Sequence, residues 1–161
     1  VQTIDVDESY PNYLRGVRIP MYLAEKKADA LQHKLTDNSL LITADTIVLL
    51  EEQVLGKPND KEEARRMLKR LSGKNHLVIT GVCISSANRR RTFNAVSEVR
   101  FSILKDNEIN HYLDTFAPYD KAGSYGIQEW IGYIGVEQIN GSFYNVMGLP
   151  VQRLFCELKK W

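Results

Sequence analysis

At 161 residues, 43% hydrophobic and 25% charged, the chain has the size and composition of one soluble globular domain with a genuine core. A formal net charge of +1 excludes a global field that would draw it to nucleic acid or to an anionic membrane. No apolar run approaches the length of a membrane span and no signal-peptide pattern opens the chain. Cys83 and Cys156 have no metal-like spacing, so two reduced core thiols in a cytoplasmic protein are expected.

Residues 1–8 alternate apolar and polar, like a strand met in mid-course, and end on Asp7 and Glu8. With Val1 in place of an initiator methionine, an earlier segment is expected. A turn-rich stretch, SYPNYLRGVRIP, leads into a helix from Pro20 to about Leu35, with Leu23, Ala24, Ala28, Leu31 and Leu35 as its apolar stripe. Lys27 falls on the same stripe. Such a lysine either snorkels to solvent or aims a cation into a cleft.

LLITADTIVLL (40–50) is a nearly continuous apolar run, as expected of a strand covered on both faces. Asp45 interrupts it, and a buried carboxylate requires a partner, water or a metal. EEQVLGKP reads as a turn and return. Asp60, with Glu63 three residues on, predicts a capping box for a helix that Gly73 ends. HLVITGVCISS (76–86) and 92–104 read as strands joined through Arg89, Arg90 and Arg91. Three arginines at a hairpin tip are usually solvated, with nucleic-acid binding the minor alternative. A short helix is expected over 107–116, a glycine-rich loop over 120–130, and two strands near 131–139 and 142–147 joined by an Asn140-Gly141 hairpin. An amphipathic helix carrying Val151, Leu154, Phe155 and Leu158 closes the chain. Helices alternating with strands, with at least two hairpins, predict an α/β fold with a mixed sheet in a single domain over 1–161.

Phosphate-loop, GxGxxG, HExxH and CxxC motifs are absent. His33, His76 and His111 are scattered and read as structural or exposed. The polar residues that apolar patterning does not explain are Glu8, Lys27, Asp45 and Lys57, with Asp120, Lys121 and Gln128 in the glycine-rich loop. Hard carboxylate oxygens suit magnesium shared with phosphates, and lysines suit phosphate oxygens as point charges. On spacing alone, unrelated surface ion pairs explain the set slightly better than a triphosphate site does.

The strings ADTIVLL, LGKPNDKEEARRMLKRLSGKNHLVITGV, DKAGSYGIQ and INGSFYNVMGLP, with VDE at 6–8 and LAEKKA at 23–28, closely resemble the Maf family of house-cleaning nucleoside triphosphate pyrophosphatases. The resemblance covers essentially the whole chain. It implies an α/β fold related to the inosine triphosphatases, with a mixed central sheet, flanking helices and a cleft between two lobes. It also implies magnesium- or manganese-dependent hydrolysis of nucleoside triphosphates to monophosphate and pyrophosphate. Position by position, Glu8 and Asp45 match the family's acidic, metal-associated residues, Lys27 and Lys57 its phosphate-contacting lysines, and Gln128 the glutamine of its GIQ motif.

Asp45-Thr46 and Gly126-Ile127-Gln128 resemble the dTTP/UTP-cleaving branch, not the branch with Asp-Gln that prefers 7-methyl-GTP. Thr46 and Gln128 are then the base-reading candidates, with Lys121 in the same loop as a substrate contact. Glu129 and Trp130 follow GIQ where the family has glycine, so the pocket rim is expected to differ. Family members open on a strand and an SxSPRR segment whose serine and arginine contact phosphate, and this numbering starts beyond it. A homodimer is the expected assembly, with neither nucleic-acid nor membrane partners. The alternative functions are a nucleotide-binding regulator of septum formation and a purine pyrophosphatase acting on ITP or 7-methyl-GTP.

Overall fold

A computed structural model describes residues 6–161. The strand expected over 1–8 lies mainly outside the described residues, and 6–8 have no regular secondary structure. The first helix, α1, spans Arg18–Leu31. It starts two residues ahead of Pro20, which the first turn tolerates because its missing N–H would have no helical partner there. A short 3-10 turn over Gln32–Lys34 replaces the expected last helical turn and leaves Leu35 outside.

Strand β1, Leu41–Leu50, turns back into β2, Gln53–Leu55. Helix α2 spans Lys61–Leu71. Asp60 Oδ1 accepts from the Glu63 amide at 2.7 Å, while Glu63 accepts from the Asn59 amide at 2.8 Å. The box therefore closes one residue earlier than the spacing predicts. Strands β3, Asn75–Ser85, and β4, Arg90–Phe101, form a long hairpin, and α3 covers Asp106–Phe116.

The sheet order is β2-β1-β3-β4-β5, where β5 is Val136–Asn140. Every described pairing is antiparallel. The fold is α/β as expected, but the described sheet is not mixed. The physical reason is in the connections: β1 doubles back through β2, and α2 returns the chain so that β3 runs against β1 instead of crossing over to lie parallel.

Alternation along β3 sorts the core. Ile79 packs with Leu23 and Ile47 beneath α1, and Cys83 meets Ala24 and Ala28. On the opposite face Val78 joins the cluster containing Leu68, Phe101, Ile109 and Ile131, while Val82 and Ile84 pack with Leu154. Gly81 allows α1 to approach closely, since a Cβ there would lie 2.3 Å from the Pro20 carbonyl carbon. Thr43 Oγ1 donates to the Ala24 carbonyl at 2.6 Å and ties α1 to β1. Cys83 is buried and Cys156 only half-buried, and both thiols are free.

The expected Asn140-Gly141 hairpin does not form. Trp130–Gly135 is helix α4, and Phe143–Val146 is the short helix α5. Gly132 sits against the Ile127 carbonyl, where an added Cβ would be 1.9 Å from its oxygen, and this contact favours a tight helical turn over a strand. Ser142 accepts from the Asn145 amide at 3.3 Å and starts α5. Gly141, at φ +133, turns the chain onto the sheet face instead of back along β5. Helix α6, Val151–Leu158, closes the fold as expected.

The arginines at the β3–β4 tip bind the protein itself. Arg89 donates to the Trp161 carbonyl, Arg90 pairs with Asp29 at 2.6 Å, and Arg91 pairs with buried Glu157 at 2.7 Å. No described helix is long and apolar enough to cross a membrane.

Candidate active site

β2 pairs with β1 only at Val48–Leu50. Among the described residues, the outer edge of β1 before Val48 carries no strand, so a cavity there reaches both faces of the sheet. It measures about 720 Å³, and its lining includes Glu8, Lys27, Asp45, Thr46, Lys57, Lys121 and Gln128. All seven site residues expected from the sequence therefore border one space.

On the α1 face, Lys27 projects from the helix onto buried Asp45 and forms an ion pair with its Oδ1. The same ammonium lies 3.5 Å from Glu8 Oε1, which Lys57 approaches to 2.7 Å. Glu8 is thus held between two lysines, and Lys27 between two carboxylates. Burial pushes the Asp45 carboxyl above its ordinary range, and the neighbouring Glu8 charge adds to this. The Lys27 hydrogen bond and charge only partly offset the rise. Burial acts in the same direction on Glu8, but there the Lys57 hydrogen bond and both lysine charges win, and its carboxyl falls below the usual range. The two acids are therefore electrostatically distinct: Asp45 is the more basic, Glu8 the more firmly ionised.

Two carboxylates converging on one cation present the hard oxygen donors that a magnesium-type ion takes. Among the described residues no three acidic, histidine or cysteine side chains are grouped so as to hold a metal ion between them. This donor set fits a cation that keeps water and phosphate oxygens for most of its shell, and does not fit a closed protein cage.

On the other face of β1, Thr46 pairs with Thr80 of β3, their hydroxyls 2.8 Å apart. Gln128 is exposed at the rim. Its main-chain oxygen accepts from the Tyr133 hydroxyl at 2.8 Å, whereas its side-chain amide forms no hydrogen bond among the described residues. Lys121 lies between Asp120 at 2.8 Å and Glu129 at 3.2 Å. Burial alone would lower its pKa, but these two carboxylates raise it above the ordinary lysine value.

Glu129 also accepts from Tyr112, whose hydroxyl in turn accepts from the Gly126 amide at 3.1 Å. The residue that departs from the family's GIQ-glycine pattern thus braces the loop presenting Gln128 and Lys121. Thr80 and Asn145 escaped the sequence reading. Thr80 had a signal of the same kind as Asp45, a polar residue inside the apolar run HLVITGV.

A family profile described as Maf-like protein matches residues 1–161. The chain belongs to the Maf family. Its Maf relatives include a dTTP/UTP pyrophosphatase of Parabacteroides distasonis, 59% identical over 155 residues, covering 96% of this chain and 80% of the relative. A dTTP/UTP pyrophosphatase of Bacteroides thetaiotaomicron is 56% identical over 97% of this chain and 81% of its own length. One of Cytophaga hutchinsonii, with the same description, is 48% identical over 99% of this chain and 73% of its own.

Proposed function

We propose that this Maf-family protein hydrolyses dTTP and UTP, together with modified pyrimidine nucleotides, to the nucleoside monophosphate and pyrophosphate. The observation that carries this reading is the alternating set Lys57–Glu8–Lys27–Asp45 at the open edge of β1, joined by ion pairs of 2.7 Å and 3.5 Å and by the Lys27–Asp45 pair. The relatives' activity and the Thr46–Gln128 pair supply the choice of base.

In the proposed reaction, water attacks the α-phosphorus. A new P–O bond forms, the bond from the α-phosphorus to the α,β-bridging oxygen breaks, and that oxygen leaves with the pyrophosphate. Oδ1 of Asp45 is engaged by Lys27, so its other carboxylate oxygen is the one open either to receive the water proton or to join Glu8 on the metal. A carboxylate made more basic by burial suits the first of these roles. Lys27 and Lys57 neutralise charge growing on the phosphate oxygens and on the leaving group. Glu8 and Asp45 would hold Mg2+ or Mn2+ jointly with the substrate phosphates, and such an ion would supply electrostatic polarisation of the phosphoryl oxygens. Lys121 is placed to contact the substrate from the glycine-rich loop.

The test follows pyrophosphate and orthophosphate release from dTTP, UTP, ITP and 7-methyl-GTP, each with magnesium. Pyrophosphate from dTTP and UTP in clear preference to the purines is expected. Preference for ITP or 7-methyl-GTP would overturn the base assignment, and orthophosphate as first product would overturn the site of cleavage.

A further inference from the structure

Thr46 and Thr80 sit opposite each other across β1 and β3, with Oγ1 atoms 2.8 Å apart. Within that pair alone either hydroxyl can be the donor. A second contact of Thr80 decides the direction. Its Oγ1 lies 3.1 Å from the main-chain oxygen of Asn145, and a carbonyl oxygen only accepts. A threonine hydroxyl has one proton to give. Thr80 gives its proton to Asn145 and so receives one from Thr46. The Thr46 proton is committed to Thr80, and the hydroxyl has only lone pairs left to offer on the cavity wall.

The relay has no freedom to reverse. Thr80 and Asn145 are fully buried, so no water competes for their hydrogen bonds. Asn145 is held by its own amide, which donates to the Val78 carbonyl at 3.1 Å and to Ser97 Oγ at 3.0 Å. Thr46 itself is half-buried on the cavity wall.

We infer that the Asn145–Thr80–Thr46 relay fixes Thr46 as an acceptor-only group that reads the N3–H of thymine or uracil. Thr80 and Asn145 are positioning residues, and the inference rests on the pyrimidine triphosphatase reading above. Thymine and uracil carry a proton on N3, where cytosine, of nearly the same shape, carries a bare lone pair. An acceptor facing that lone pair leaves both groups unpaired, which is rejection by polarity and not by size. Gln128 lines the same cavity but does not by itself fix this polarity. Its exposed, unbonded amide is free to turn over and to present either a donor or an acceptor.

The experiment compares kcat/KM for dTTP and dCTP, and separately the Kd of dTMP and dCMP, in wild type, Thr80→Val, Thr80→Ser and Thr46→Val. Thr80→Val removes the acceptor for the Thr46 proton, which can then swing into the cavity and meet cytosine N3. The dTTP-to-dCTP ratio is expected to fall by about ten-fold or more, chiefly through a gain on dCTP. Thr80→Ser keeps the hydroxyl and should keep the wild-type ratio. A merely structural role would lower both nucleotides together.

An unchanged ratio in folded Thr80→Val overturns the inference, as does a wild type that binds dTMP and dCMP alike. Should Thr80→Val fail to fold, Thr46→Val is decisive: retention of the full dTMP preference overturns the relay, and its loss supports it. The monophosphate affinities need no turnover. A wild type that prefers dTMP yet releases no pyrophosphate therefore refutes the hydrolase reading and leaves the relay standing.

Discussion

Replacing Lys27 by methionine removes the cation while keeping most of the side-chain volume. The partner left behind is Asp45, with only 7% of its side chain exposed, while Lys27 itself is 17% exposed. Solvent screens a pair this enclosed only weakly, so the cost belongs to the class of broken buried pairs, about 3 kcal/mol at neutral pH. The surface pair Lys69–Asp106 provides the internal control. It is 2.9 Å long but 46% and 70% exposed, and Lys69→Met should cost less than about 0.5 kcal/mol.

The pH dependence follows from the same geometry. Asp45 is already raised above its ordinary value of 3.8 by burial, and loss of the Lys27 hydrogen bond and charge raises it further. The native state of Lys27→Met then holds a proton on Asp45 that the unfolded chain has lost. Its penalty is small near pH 4, grows as pH rises through the elevated native value, and is complete above it. Urea denaturation of wild type, Lys27→Met and Lys27→Met/Asp45→Asn at about pH 4.5 and pH 8 measures this. The double variant should recover most of the stability at pH 8 without recovering activity. A loss no larger than that of Lys69→Met, or one equal at both pH values, would refute the view of Asp45 as a buried carboxylate held by Lys27.

Gly81→Ala places a Cβ 2.3 Å from the Pro20 carbonyl carbon and pushes α1 off β3. A loss of about 3 kcal/mol, with turnover reduced because Lys27 moves with the helix, should appear in parallel denaturation and activity assays. His76, buried against Tyr125 and Phe101, is depressed by burial from 6.5 to about 4. Its contribution is present above the unfolded value near 6.5 and lost as pH falls through about 4, in all about 3 kcal/mol. His76→Phe should flatten that part of the stability–pH curve. Chelation with EDTA should abolish turnover yet change the unfolding free energy by less than about 0.5 kcal/mol, because the described residues form no closed cage around an ion. Calorimetry with and without chelator checks this.

Much of the site was legible because burial makes polar residues conspicuous. Asp45 and Lys27 each broke an apolar pattern, and the fold joins them directly. Glu8 and Lys57 each stand out singly in the sequence, but their pairing spans nearly fifty residues and no local spacing encodes it. The helix over 107–116 and the cap at Asp60 followed from local chemistry and formed close to the expected positions.

The region after Gln128 did not. Apolar spacing over 131–139 suits a strand, but Gly132 packs on the Ile127 carbonyl and draws the chain into α4. Asn140-Gly141 resembles a hairpin turn, but Ser142 captures the Asn145 amide and a helix starts instead. Both contacts lie within five residues, but neither belongs to the alternation or the turn dipeptide from which strands and hairpins are read. They also place Asn145 under Thr80, the relay that sequence reading missed.

The central claim is that Asp45, held by Lys27 at the open edge of β1, drives release of pyrophosphate from dTTP and UTP. Its most direct test is steady-state pyrophosphate release from dTTP with magnesium by wild type and Asp45→Asn, with folding of both verified by circular dichroism. The expected result is a fall in kcat of about a thousand-fold in the variant, with the KM little changed. Equal turnover in the two proteins would contradict it.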